Sequence, residues 1–255
     1  MPITEGSFVW HDLATTDVEG AKAFYPKILP WTTKPWEDAQ SYTMWVNDGS
    51  PLGGVLPLSA ARIAAGETPH WLPFVYVYDV DACTRLAAKS GGSVRKPPKE
   101  VPNAGCWSVI ADPVGATVGL FEPTQSPPSH AGVPRRGEFS WHELATDDPK
   151  RVFDFYSKLF HWEPTGEHDM GADGIYYMFG QKGRPYGGMF KRRPEMPPPT
   201  WFSYARVDDI KKATETVKAS GGQVHRGPME VPGGDWIAIC TDPSNATFAL
   251  HQTTI

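Results

Sequence analysis

Apolar positions along the chain follow two rhythms in turn. From Phe8 to Ala14 apolar and polar residues alternate, which predicts a strand with one buried face. Asp17 stands next as an N-cap. Ala21, Phe24, Tyr25, Ile28 and Leu29 then recur at helical spacing and predict one apolar helix face. Pro26 lies inside that pattern and should kink or shorten the helix, because it removes a donor and crowds the previous turn. Two short β-prone runs follow, SYTMWVN and PLGGVLPL. A second strand opens at Trp71 and runs to Val77, before a capped helix that ends at Gly91-Gly92. CWSVIAD and ATVGLFE close the series. The predicted order is β-α-β-β-β, stated twice.

The whole series then repeats. FVWHDLATTD (Phe8 to Asp17) matches FSWHELATDD (Phe139 to Asp148), and AKAFYPKILPW matches RVFDFYSKLFHW. GSPLGGVL matches GRPYGGMF, and WLPFVYVYDVDA matches WFSYARVDDIKK. KSGGSV, EVPNAG and ADPVGATVGL return as KASGGQV, EVPGGD and TDPSNATFAL. Asp148-Pro149 sets a cap and an N1 proline before the helix of the second copy. The chain therefore divides into a first domain over 1–123, a Pro/Ser/Gly-rich linker over 124–137 and a second domain over 138–255. The fold class is α+β, four paired βαβββ modules. Whether modules pair within a half or across halves stays open. In the crossed arrangement Trp10 would share a face with Trp201 and Ala249, and Trp141 with Trp71 and Gly119.

Composition narrows the function classes. The chain has 255 residues, 40% of them hydrophobic, enough for a packed core. A net charge of −5 argues against nucleic acid or an acidic membrane as partner. No basic segment followed by an apolar run stands at the N-terminus, and the apolar stretch around Trp71 to Val80 is too short to span a bilayer. Three widely spaced cysteines, Cys83, Cys106 and Cys240, fit a reducing compartment and read as buried small hydrophobes. The expectation is a cytoplasmic monomer or homodimer that meets a small molecule, without nucleic acid or membrane. Ten tryptophans are many, and Trp suits apolar pockets.

The module order, with WHDLATTD…AFY, DVDA…GG and DPVGATVGLFE, resembles the vicinal oxygen chelate superfamily of glyoxalases, bleomycin-resistance proteins and dioxygenases. The resemblance spans nearly the whole chain. Its opening and ending look most like tandem proteins often labelled "hydroxylase" or glyoxalase-like. It implies that paired modules curl into cups. In the family's metalloenzymes a divalent metal is held there by His, Glu or Gln on the first, fifth and last strands.

Carried onto this sequence, that pattern finds no ligands. The first-strand position falls seven residues before Asp17 and Asp148, at Trp10 and Trp141. The fifth-strand position falls on Trp71 and Trp201, and the last on Gly119 and Ala249. His11, His142, His70 and Glu122 are adjacent or nearby but out of register, so only a slip or bulge would rescue a metal site. No cofactor is expected; a divalent metal remains an alternative on those terms. Strand alternation places Trp10 with Asp12, Trp141 with Glu143, and Ala249 with His251 on inward faces, and sends His11 to the helix-packed face with Val9 and Leu13. Trp10, Asp12, Trp71, Trp141, Glu143 and Trp201 are thus the expected ligand-binding set, with Asp12, Glu143 and His251 as candidate catalytic groups. The expected function is binding of a small organic molecule between tryptophans without the family's metal. A superfamily lyase, isomerase or oxygenase, metal-free or metal-dependent, is the alternative. A structural protein with filled cups is a third reading. Whether the chain is an enzyme stays open.

Overall fold

A computed structural model describes residues 3–36, 42–125 and 133–254. Residues 126–132 of the expected linker, His130 among them, lie outside the described residues. The first module comprises β1 (Phe8–Thr15), α1 (Val18–Ile28), β2 (Trp31–Pro35), β3 (Thr43–Asn47) and β4 (Ser50–Pro57), with a short α2 (Ala60–Ala64) after it. The second comprises β5 (His70–Tyr76), α3 (Val80–Lys89), β6 (Ser93–Val101), β7 (Gly105–Ala111) and β8 (Thr117–Pro123). The second half repeats them as β9 (Phe139–Thr146), α4 (Pro149–Phe160), β10 (Glu163–Asp169), β11 (Ile175–Gln181) and β12 (Arg184–Lys191). It finishes with β13 (Thr200–Arg206), α5 (Ile210–Ala219), β14 (Gln223–Glu230), β15 (Trp236–Thr241) and β16 (Thr247–Gln252).

Each half forms one eight-stranded sheet, in the orders β2-β3-β4-β1-β5-β8-β7-β6 and β10-β11-β12-β9-β13-β16-β15-β14. The chain returns to its own first strand in every module, so β1 and β4 run parallel, as do β5 and β8. The outermost strands, β2, β6, β10 and β14, carry the polar sequences that hydrophobic periodicity does not single out. Most of β6 is exposed and it holds Pro97 and Pro98, which an edge tolerates because one side of its ladder is unpaired. α1 runs through Pro26 and stops at Ile28, one position earlier than α4 in the repeat.

All four main helices start on an aspartate. Asp17, Asp79, Asp148 and Asp209 each accept a hydrogen bond from the backbone N–H three residues on. The paired glycines after α3 and α5 have separate tasks. Gly91 and Gly221 take left-handed φ values of +92° and +90° to end the helix. Gly92 and Gly222 lie so close to Phe155 and Phe24 that a Cβ would come within 2.9 Å of each ring.

The compact units are not the halves of the sequence. One consists of Met1–Val9, Pro73–Gly132 and His142–Trp201, the other of Trp10–Leu72, Val133–Trp141 and Phe202–Ile255. Each thus joins the first module of one half to the second module of the other. In the second unit Phe24, Tyr25 and Ile28 of α1 share a core with Val207, Val217, Phe248 and Leu250. In the first, Val152, Phe155 and Tyr156 of α4 share one with Val75, Ile110, Val118 and Leu120.

One polar chain crosses each core. Trp71 Nε1–H donates to the Tyr25 hydroxyl at 2.9 Å, and that hydroxyl donates to Asp242 Oδ2 at 3.1 Å. Asp242 Oδ1 accepts the backbone N–H groups of Ser244 and Ala246. The first unit repeats it: Trp201 donates to Tyr156 at 3.3 Å and Tyr156 to Asp112 at 3.2 Å, while Asp112 Oδ1 accepts the backbone N–H groups of Val114, Gly115 and Ala116. Burial raises the pKa of both aspartates, opposed by these donors, and holds both phenols well above their usual value of 10.0.

Two further aromatic pairs close the cores. Phe8 stacks on His142 with ring centroids 3.7 Å apart, and His11 stacks on Phe139 at the same distance. Burial lowers the His142 pKa from 6.5 to about 3, so the folded chain holds this ring neutral.

Two stability experiments follow. Tyr25→Phe leaves an indole N–H and a carboxylate oxygen without their shared partner, and should cost about 1–3 kcal/mol in urea unfolding, with Tyr156→Phe costing a similar amount. For His142 the folded pKa lies below the unfolded one. Its contribution is complete above the unfolded value and is lost as pH falls towards the folded one. Between pH 7 and 5 the loss should be roughly 2 kcal/mol. The unfolding free energy of His142→Phe, measured over the same range, should fall less steeply than that of the wild type.

Candidate functional site

The face of β1 turned away from α1 carries the first group of interest. Leu13 is fully buried under the helix, so Asp12 turns the other way. Trp10 Nε1–H is shared between Asp12 Oδ1 at 2.9 Å and the Tyr42 hydroxyl at 2.8 Å. Tyr42 donates in turn to Asp12 Oδ1 at 2.6 Å. The three side chains close a ring, each half-buried. Burial first, and the Asp12 charge second, hold the Tyr42 phenol well above its usual pKa. Gly54 lies opposite Asp12 in the parallel β1–β4 register, and a Cβ there would stand 2.1 Å from the Tyr42 hydroxyl oxygen. The glycine of the GG pair is what lets the phenol reach the carboxylate.

The other unit repeats the frame with different chemistry. Glu143 is opposite Gly188, and a Cβ on Gly188 would fall 2.0 Å from the Tyr176 ring. Tyr176 therefore occupies the place of Tyr42, and Glu143 that of Asp12. Trp141, half-buried, is two residues before Glu143 on β9.

Trp71 and Trp201 require a correction. Both were expected on the inward faces with Trp10 and Trp141; both lie in the helix-packed cores, 8% and 5% exposed. Their indoles serve the Trp–Tyr–Asp chains. The fifth-strand position does not reveal which face its side chain takes, and here both indoles turn to the core. Alternation holds within β1: Phe8 and His11, three residues apart, enter different cores, Phe8 stacking on His142 in the first unit and His11 on Phe139 in the second. His11 and Leu13 do share the helix-packed side.

His251 lies on the face of β16 opposite to Phe248 and Leu250 of the core. Its Nδ1 meets Ser140 Oγ at 2.7 Å and its Nε2 meets Asp235 Oδ2 at 3.0 Å. Burial lowers its pKa, and the Asp235 carboxylate pulls it back upward. Tyr42, Tyr176, Ser140 and Asp235 were not singled out by sequence. The two tyrosines precede or open polar-flanked strands. Ser140 and Asp235 are visible as differences between repeats, where Val9 and Gly105 stand in the first half.

The family's divalent metal does not fit these residues. Its ligand positions hold Trp10, Trp71 and Gly119 in one half and Trp141, Trp201 and Ala249 in the other, none of which ligates. The neighbouring donors are engaged elsewhere. His11 and His142 are stacked in cores, and His70 Nδ1 bonds the Thr68 carbonyl at 2.7 Å. Glu122 accepts from Val80 N–H to cap α3, as Gln252 accepts from Ile210 N–H to cap α5. Among the described residues no three His, Cys, Asp or Glu side chains are grouped to hold a metal. Nor, among them, is any helix long and apolar enough to cross a membrane.

Comparison with known proteins places this geometry. The family model for the Glyoxalase/Bleomycin resistance protein/Dioxygenase superfamily matches residues 138–250. A Mycobacterium tuberculosis protein named "Putative glyoxylase CFP32" is 30% identical over 254 residues, 96% of this chain and 94% of its own. The anthracycline biosynthesis protein DnrV of Streptomyces peucetius is 27% identical, over 97% of this chain and 93% of its own. Among solved structures, the Mn(II)-bound glyoxalase of Novosphingobium aromaticivorans aligns with a TM-score of 0.66 at 14% identity, covering 98% of this chain and 82% of that one. The 2,3-dioxygenase LapB of Pseudomonas sp. KL28 aligns with a TM-score of 0.68 at 12% identity, covering 98% and 93%. With its two eight-stranded sheets of paired modules, the chain belongs to the glyoxalase, bleomycin-resistance protein and dioxygenase superfamily.

Proposed function

We propose that this chain binds a small, flat organic molecule against the helix-free face of β1, without the family's metal ion. The observation that carries this reading is the Trp10–Asp12–Tyr42 ring. Its indole N–H is already bonded on two sides, so the Trp10 face is held rigid before any ligand arrives, and stacking on it costs little conformational entropy. A carboxylate and a phenol at the rim of that face offer a counter-ion and a polar handle. This combination suits an aromatic compound that carries a basic group. Glu143 and Tyr176 supply the corresponding handle in the other unit. The names of the Streptomyces relatives support the same ligand chemistry, since anthracyclines are fused aromatic ring systems. The three free cysteines, Cys83, Cys106 and Cys240, are all buried, which suits the reducing cytoplasm. A superfamily lyase, isomerase or oxygenase is the second reading, favoured by the titratable His251 with its two partners.

The ligand test is calorimetric titration with an anthracycline. Trp10→Ala should weaken binding by on the order of 1–3 kcal/mol through lost stacking. Asp12→Asn should weaken it most for basic analogues. Equal affinity in wild type and both variants, or no binding at all, would count against the reading. The metal arm uses elemental analysis of the protein as purified. Substoichiometric Zn, Fe, Mn and Ni are expected, with binding unchanged by a chelator. About one ion per half, lost when His11 or His142 is replaced, would restore the metalloenzyme alternative.

A further inference from the structure

The two halves have diverged at one connected set of positions. Where the first half has Val9, Gly105 and Phe121, the second has Ser140, Asp235 and His251. These three replacements meet in space. Ser140 Oγ lies 2.7 Å from His251 Nδ1, and His251 Nε2 lies 3.0 Å from Asp235 Oδ2. The carboxylate is itself fixed, its Oδ1 accepting from the backbone N–H of Thr254 at 3.0 Å. The fold does not require the set, because the first half builds the same strands with an aliphatic side chain, an aromatic ring and no side chain at all. Burying His251 between two polar partners where Phe121 suffices in the first half is a cost without a structural return.

From this geometry we infer that the second half carries a nucleophilic serine site, Ser140 activated by His251 and Asp235, that acts on small activated esters. The Ser140 hydroxyl reaches the Tyr204 carbonyl at 3.2 Å and His251 Nδ1 at 2.7 Å; with Nε2–H donated to Asp235, the nearer Nδ1 is the acceptor that can take its proton. Ile237 lies directly opposite His251 and Ile239 opposite Ala249, both part-exposed, and they give that face an apolar wall for an acyl group. Arg206 pairs with His251 in the β13–β16 register and adds a positive charge to the same face.

The chemistry balances with water as the second reactant. The Ser140 oxygen bonds to the ester carbonyl carbon while its proton passes to Nδ1, and Asp235 holds the resulting imidazolium. The carbonyl–oxygen bond to the alcohol breaks, and the departing oxygen takes the proton from His251. Water then adds to the acyl-serine, giving one proton to His251. The carboxylic acid leaves, and Ser140 recovers its proton.

The probes are p-nitrophenyl acetate and a fluorophosphonate, applied to the full chain, with the labelled peptide identified by mass spectrometry. The repeat supplies the variants: Ser140→Val, Asp235→Gly and His251→Phe restore residues that the first half carries. The expected result is one phosphonate adduct, on Ser140. Nitrophenol release should fall to background in Ser140→Val, and at least tenfold in His251→Phe and Asp235→Gly, with thermal midpoints close to wild type. Should Ser140→Val fail to fold, Ser140→Ala gives the same readout with one oxygen removed. The inference is overturned by an adduct elsewhere or none, by release that survives loss of Ser140, or by labelling of Ser140 at an unchanged rate without His251. Neither Trp10 nor Asp12 takes part, so this result stands apart from the anthracycline titration.

Discussion

A tyrosine hydroxyl buried in each core is the constraint on which the fold rests. Tyr25 and Tyr156 each accept from an indole and donate to an aspartate at the turn between the last two strands. An unpaired phenol in a core would cost more than one hydrogen bond returns, so each of the three groups fixes the other two. The aspartate also gathers the backbone N–H groups of its own turn, and the turn, the helix and the strand carrying the tryptophan are thereby referred to a single atom. Module pairing follows from this. Tyr25 finds Asp242 and Tyr156 finds Asp112, each reaching a module from the opposite half of the chain.

That same chain explains what the sequence could and could not disclose. The repeat, the βαβββ order and the helix caps were legible because each is written locally, in an Asp before an apolar face or a glycine pair after one. The edge strands were not, since a strand with one free side and little burial has no apolar alternation to read. Trp71 and Trp201 misled because an aromatic residue on a strand suits a pocket and a core equally. Only the partner of the indole N–H decides, and that partner is distant in sequence. His11 shares the helix-packed side with Leu13, and Phe8, three residues before it, turns to the other core, as period two requires.

The candidate sites show how duplication separates structural from functional demand. Both halves keep the FY, the Trp and the DP of the buried chain, and both keep a glycine beneath a tyrosine next to a carboxylate. Differences between copies fall elsewhere, above all at Val9/Ser140, Gly105/Asp235 and Phe121/His251. A single copy would have given no means of telling which buried polar residues the architecture needs. Two copies in one chain provide an internal control, in which the same strands form with Val9, Gly105 and Phe121 in place of the polar set.

The exchange of modules between halves has a consequence for how this chain is assembled. Neither half of the polypeptide contains a complete core: α1 needs the strands of the last module, and α4 those of the second. The two halves are in effect complementary fragments, and their covalent join raises the concentration at which they meet. During synthesis the first half must therefore wait, with half-made cores, until the ribosome has delivered the second. The unit of folding is the whole chain, although the unit of sequence is half of it.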